Sequence, residues 1–442
     1  MSEMKTRVKV HSKLTQVSST PVKPGKIHPL SVLDQSMGLH TLHMVLYYRV
    51  SPFNSFDLDP LRASLCEALS NYPPVTGRLT RDDDGNWVVN CNDAGLRVLR
   101  ATVGTTLDEW LGSADAFEEL DLTKKVKINE FEGGGVAIGL SCTHLNADPT
   151  SATLLLKSWS EVHRREAIAH APFFHPPALR RRPNPNTDTQ SANYYATKSK
   201  LVSSPTKMST VTFRFSSHMI KNCLSEVQNK CPNATPFDLL AALFWLRIVL
   251  LKSKSYGDQC ALSICIDFRK LMQAPLPYGY FGNALHFSLL STNAEDLEGG
   301  DLGHVAELVH SHVAGIEEEE FWSVIDWLDS RREGKKLAPP FRMYGPELTC
   351  VSMEHMNAPK GPTESASQPL MYAVMFEKDE KPLHVSYHVG NVEGEGLIMV
   401  MPSPEEGLGR TVMVTLPEEQ TAKLCEDHDI LRLKPTMLLS RR

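Results

Sequence analysis

The chain has 442 residues, 41% hydrophobic and 22% charged, which is material for two globular cores and excludes a disordered chain. A formal net charge of −6 supplies no electrostatic footprint for nucleic acid or an anionic membrane surface. Nine cysteines without a Cys-x-x-Cys pair exclude a disulfide framework and a zinc ribbon and fit a reducing cytosol, and the opening MSEMKTRVKVHSK lacks the apolar run of a secretory signal.

In chain order, RDDDGNW (81–87) resembles the start of a calcium loop but lacks the later glutamate, so Asp84-Gly85 is read as a hairpin turn into the strand GNWVVN (85–90). VKINEFEGGGVAIGLSC (126–142) predicts two strands joined at the glycine run. The next residues, THLNADPTS, place His144 and Asp148 at a junction between strand and helix. Asp148 before Pro149 has the pattern of an N-cap followed by proline in the first turn, and Leu155, Trp159 and Val162 then recur at helical spacing. A histidine ending a strand at a crevice is suited to taking a proton from a bound hydroxyl or amine, and a histidine satisfied by backbone inside a core fits the same spacing. Cys142 shares the strand face of His144, but a nucleophilic dyad would want a third, orienting group. His163, His170 and His175 lack metal-ligand periodicity and are read as surface residues, and no metal site is expected.

The one compositional break is HPPALRRRPNPNTDTQSANYYATKSK (175–200), whose prolines exclude helix interior and whose polar tail offers little to bury. It divides the chain into an N-terminal domain (1–174), a crossover linker (175–208) and a C-terminal domain (209–442). In the second half VTFRFS (211–216) reads as a strand and Thr235-Pro236 starts a helix. The apolar DLLAALFWLRIVLL (238–251) is short for a membrane span and carries Asp238 and Arg247, so it reads as a buried helix. Lys252 and Lys254 just beyond it are candidates to meet a phosphate, although lysines are expected at a helix C-terminus anyway. LSICIDF (262–268) predicts a buried strand, 302–330 one long amphipathic helix with EEEE (317–320) as a solvated face, and LHVSYHV (383–389), GLIMVMP (396–402) and TVMVTL (411–416) late strands. No phosphate-cradling glycine loop occurs. Helices and strands mixed in each half predict an α/β or α+β two-layer design.

HLNAD (144–148) resembles the His-x-x-x-Asp motif of the plant BAHD acyltransferases. HPLSVLD, LSNYPPVTGRL, CNDAG, TPFDLLAALFW, IDFRK, GYFGNALHF and VTLPEEQTAKL follow in that family's order. The resemblance implies two similar mixed-sheet domains of chloramphenicol-acetyltransferase-like architecture, joined by a long crossover, with a channel between them that reaches the motif histidine from both mouths. It implies acyl-CoA as co-substrate with no permanently bound cofactor, an alcohol or amine acceptor, His144 as general base, and Asp148 paired with Arg269 beside Asp267. A cytoplasmic monomer without a nucleic-acid partner is the matching expectation.

The family's Asp-Phe-Gly-Trp-Gly is replaced by MFEKDEKPLHVSYHV (375–389), which keeps only the Lys-Pro. With CNDAGLRVLRATVGTTLDEWL (91–111) and MYGPELTCVSMEHM (343–356), this combination is similar to the family's Eceriferum/Glossy branch. That likeness implies another role, as a partner of a membrane-bound fatty-acid condensing enzyme that lengthens very-long-chain acyl-CoA for cuticular wax. Such a partner would hold the protein at the endoplasmic reticulum.

Overall fold

The strands of this computed structural model sort into two large sheets and one small one; residues 6–51, 59–174, 179–200, 206–252, 259–357 and 368–439 are described. The first sheet runs in the order Val8–Gln16, Leu96–Thr106, Val126–Glu132, Val136–Thr143, Thr41–Tyr48, His384–Val389. The glycine run makes the expected hairpin, with Ile128 opposite Ile138 across an antiparallel pair. The second sheet runs Leu285–Asn293, Gln259–Asp267, Leu348–Ser352, Leu397–Pro402, Arg410–Pro417, Met208–Phe215, Thr436–Leu438. A three-stranded sheet of Ile27–Pro29, Trp87–Asn90 and Arg78–Arg81 lies apart, and Asp84-Gly85 turns its hairpin with Gly85 at φ +83°.

Both halves are therefore mixed α/β layers, as expected, but the chain does not divide cleanly between them. The strand His384–Val389, late in the sequence, pairs antiparallel with Thr41–Tyr48 of the first sheet, Val385 opposite Leu46. Its residues from His384 to His388 are buried, which an edge strand achieves only when another layer covers it.

The helix Pro149–His163 starts where the sequence places it and packs against Asp59–Leu69. In the second half, Thr235 and Asp238 form a capping box at the head of Pro236–Leu251. That helix is apolar nearly all round and accordingly lies inside, against Leu302–Ala314 and the sheet. Among the described residues no helix is long and apolar enough to cross a membrane.

Three expectations are corrected. The helix expected over 302–330 is two helices, Leu302–Ala314 and Glu318–Ser330, broken at Gly315, the residue that caps the first. The tail of the linker is not a tether with little to bury. Thr189 caps a helix Gln190–Lys198 that buries Ser191, Ala192, Tyr194, Tyr195 and Lys198 against Glu318–Ser330 and the strand Leu285–Asn293. Ser191, Tyr194, Tyr195 and Lys198 recur at i, i+3, i+4 and i+7, an inward stripe masked by polar letters.

The glutamate run is likewise more than a solvated face. Glu319 pairs with Arg182, Glu320 accepts from the Ser191 backbone N–H, and Asp326 accepts from the backbone N–H and side chain of Arg182. The acidic first turn of this helix thus clasps the crossover.

Candidate active site

His144 follows directly on the strand Val136–Thr143. Its backbone N–H donates to the His40 carbonyl at 3.0 Å and its carbonyl accepts from Asn283 Nδ2 at 2.8 Å, so one residue of each half fixes its main chain. The ring is 0% exposed. Nε2 lies 3.1 Å from the Tyr344 hydroxyl, and Nδ1 has no hydrogen-bond partner. Burial holds the imidazole pKa below its ordinary 6.5; the charge of Asp148, the residue's own main chain and the Asn283 side chain pull it part of the way back.

Asp148 does two structural jobs at once. It caps the motif helix by accepting from Ser151 N at 2.9 Å, and it accepts from Arg269 Nη2 at 3.0 Å and Ala284 N at 3.0 Å, with Arg269 Nη1 at 2.8 Å. The carboxylate is turned to the second half. Arg269 also pairs with Asp267 and donates to the Gly282 carbonyl at 3.0 Å. Burial works against its charge, and Asp148 and Asp267 outweigh that and hold its pKa above the usual value. Burial likewise opposes the charge of Asp267, yet Arg269, then His355, hold that carboxyl below the carboxylate range. The guanidinium thus ties the motif turn to the loop after the strand Gln259–Asp267.

A second tie runs through Asp34, which accepts at Oδ1 from the Asn283 backbone at 2.8 Å and its side chain at 2.9 Å while capping its own helix through Ser31. Burial raises the Asp34 carboxyl, with the Asn283 and Ser31 hydrogen bonds offsetting part of the rise. The preceding Gly282 is at φ +156°, and a Cβ there would lie 2.5 Å from the Tyr280 hydroxyl, so glycine is what this close approach admits.

Tyr344 is the residue that sequence reasoning missed. Its ring stands against His40 and Phe287 as well as His144, with centroids 5.0, 5.4 and 5.9 Å away. His40 is pinned by its Nδ1 contact to the Gly390 carbonyl and by the Met343 N–H on Nε2, and burial lowers its pKa to about 3. The neighbouring Gly345 carbonyl accepts at 2.7 Å from the buried Lys198 ammonium of the crossover helix, so the crossover props the segment that carries Tyr344. Tyr344 sat within the quoted stretch MYGPELTCVSMEHM, but no spacing or local pattern marked it as part of the site. Asp34 and Asn283 stood inside the motifs HPLSVLD and GYFGNALHF, without an assigned role.

The remaining candidates fall elsewhere. Lys252 caps Pro236–Leu251 and pairs with Glu395, so its charge is already answered within the protein, and Lys254 lies outside the described residues. Burial, followed by the charge of Asp148, pushes the Cys142 thiol up to about 12, which leaves no thiolate for nucleophilic attack at neutral pH. His163 is not a plain surface residue, since its Nδ1 is 3.0 Å from Ser64 Oγ; His170 stacks edge-on with Tyr278, and His175 is outside the described residues. Among the described residues no cluster of His, Cys, Asp or Glu could hold a metal ion.

A cavity of about 610 Å³ opens where the halves meet, lined by Leu30, Asp34, Arg180, Arg181, Tyr280 and Phe281 among others. His144 is not part of its lining, and the expected approach to the ring from two mouths is not open in this structure: the ring is wholly buried, with the Tyr344 hydroxyl at its Nε2.

A family model described as the Transferase family matches residues 6–431. The chain is 24% identical to shikimate O-hydroxycinnamoyltransferase of Nicotiana tabacum over 92% of its own length and 97% of that protein's. It is also 24% identical to Protein ECERIFERUM 2 of Arabidopsis thaliana, covering 93% of this chain and 95% of that one. Among solved structures, vinorine synthase aligns with a TM-score of 0.70 at 22% identity, over 96% of this chain and 98% of that one. TRI101 of F. sporotrichioides, complexed with coenzyme A and T-2, aligns with a TM-score of 0.72 at 14% identity, over 94% and 100%. At these identities the structural likeness speaks for the fold.

Proposed function

The chain belongs to the transferase family whose model spans it, that of the BAHD acyltransferases, and on that premise we propose that His144 is the general base for acyl transfer from a coenzyme A thioester to a hydroxyl or amine. The observation that carries this reading is the hydroxyl already seated at Nε2, that of Tyr344 at 3.1 Å, because an acceptor hydroxyl needs the same position and distance. In the proposed step the acceptor oxygen attacks the thioester carbonyl as its proton passes to Nε2. The carbon–sulfur bond of the tetrahedral adduct then breaks, and the departing thiolate takes that proton back. No acyl-enzyme forms. A base so placed contributes about 10²–10⁴-fold in rate.

For this to occur an acceptor displaces the Tyr344 hydroxyl. Asp148 and Arg269 act as positioning residues, since their hydrogen bonds are spent on the motif turn and the loop after Asp267. The cavity between the halves has two exposed arginines at its rim, Arg180 and Arg181, to meet coenzyme phosphates, and it reaches Asp34, whose carboxylate holds Asn283 beside His144. The test is incubation with a panel of aromatic and long-chain acyl-CoAs and candidate acceptors, following both free thiol and acylated product. Transfer by the wild type that His144→Ala abolishes supports the base; thiol release without acylated product does not count as transfer.

The sealed ring gives a second reading some support: the same fold acting as a non-catalytic partner of a membrane-bound condensing enzyme in very-long-chain acyl-CoA elongation, held at the endoplasmic reticulum by that partner. Equal restoration of wax chain lengths by wild type and His144→Ala in a deficient plant would favour it.

A further inference from the structure

Outside the reacting centre the described residues enclose a second cavity, of about 440 Å³, between the three-stranded sheet and the strand and helix on either side of the motif turn. Its size falls among small-molecule pockets, which run to about 300–1,000 Å³. The wall is mainly apolar, with Leu79, Val89, Leu96, Leu140, Leu155 and Phe281 contributing. The lining also includes three exposed cations: Arg78, whose guanidinium is spent on the Gly77, Ala94 and Gly95 carbonyls, and Arg97 and Lys125, whose side chains have no hydrogen-bond or ion-pair partner among the described residues.

Several exposed arginines elsewhere are paired: Arg49 with Asp108, Arg62 with Asp59, Arg165 with Glu67. Lys125 is held at φ +67°, in the left-handed region that non-glycine residues rarely adopt. Asn146, also in the lining, has a side-chain oxygen without a partner.

We propose that this cavity is a binding site for an amphipathic carboxylate, its apolar body against the leucines and Phe281 and its carboxylate met by Arg97 and Lys125. The site is distinct from the reacting centre. Thr143, Asn146 and Ala147 line it, whereas the ring of His144, between them in sequence, packs against Tyr344 instead. An occupant therefore touches the turn that carries His144 without taking the place of an acceptor. The inference does not depend on the acyl-transfer reading, because its readout is binding.

Calorimetric titration of the full chain with decanoate and with cinnamate at neutral pH, with decan-1-ol as the uncharged control, tests it. One carboxylate is expected to bind per chain. The double variant Arg97→Gln/Lys125→Gln weakens that binding at least about tenfold, the loss of one charge-assisted contact or more, and leaves the affinity for decan-1-ol and the thermal unfolding of the protein unchanged. Leu96→Trp, which fills the cavity, removes binding of both carboxylates. Failure of both to bind the wild type, equal binding by the double variant, or one-for-one displacement of the carboxylate by coenzyme A would each overturn the proposal.

Discussion

The Tyr344 hydroxyl lies 3.1 Å from Nε2 of His144, and both side chains are wholly buried. One comes from the second half of the chain and one from the first, so the two halves are latched at the atom proposed to take the proton. A bound acceptor has to undo that latch before it can react.

Tyr344→Phe keeps the ring and removes the competing hydroxyl. A neutral hydrogen bond of this kind is worth about 0.5–1.5 kcal/mol, so the KM for the acceptor is expected to fall by about 2- to 10-fold with kcat little changed. Steady-state kinetics at saturating acyl-CoA measures it. A lower kcat with KM unaltered would instead make the phenol a participant in the chemistry.

His144→Ala is expected to lower kcat by about 10²–10⁴ while leaving the far-ultraviolet circular dichroism in place. The pH profile gives a sharper check. A base works in its deprotonated form, and burial holds the His144 pKa below 6.5. The acid limb of kcat/KM should therefore fall below 6.5, with a plateau through neutrality. An acid limb above 6.5 would contradict the burial of this ring.

How much of this was legible in the sequence follows from which forces act locally. The junction at His144 and Asp148 was readable because a cap, a proline and an apolar stripe are neighbours in the chain. The pairing of Asp148 with Arg269 came only from likeness to a family, since no spacing rule joins residues 121 apart. The strand His384–Val389 was visible as a strand, but its sheet was not: buried residues in register fit either layer, and partner choice is settled by tertiary packing. The crossover helix was hidden because Thr189, Gln190, Ser191 and Asn193 look like loop composition, and its anchors Tyr194, Tyr195 and Lys198 matter only where they land. Tyr344 stood inside the stretch MYGPELTCVSMEHM, but nothing in that likeness assigned it a role.

Arg269→Leu should be among the most damaging single changes. It leaves Asp148 buried without a counter-charge and Asp267 with only the His355 ring beside it, and breaking a buried pair in this way costs about 3–5 kcal/mol. Urea unfolding is expected to show that loss. Arg269→Lys should recover only part of it, because one ammonium cannot reproduce the contacts that the guanidinium makes with Asp148, Asp267 and the Gly282 carbonyl. A loss within 1 kcal/mol of zero, about the value of an exposed pair, would mean that water reaches these carboxylates.

The folded protein should also lose stability well before its carboxylates protonate. Burial lowers the pKa of His40 to about 3, and that of His286 likewise to about 3, from 6.5 for the free side chain. The unfolded chain takes up protons at both positions as pH drops through 6.5, and the folded chain does not until about 3. Their contribution is therefore complete above 6.5 and is lost across the interval down to about 3. One proton per group at 1.36 kcal/mol per pH unit gives a slope of about 2.7 kcal/mol per pH unit for the two. Asp34, whose carboxyl burial raises above 3.8, works in the opposite sense over the window between 3.8 and its raised value. The histidine effect is therefore read most cleanly on the neutral side of that window. Urea midpoints at pH values stepped from neutrality down to about 5 measure it, and midpoints flat over that range would mean that the folded state protonates these two rings as readily as the unfolded chain does.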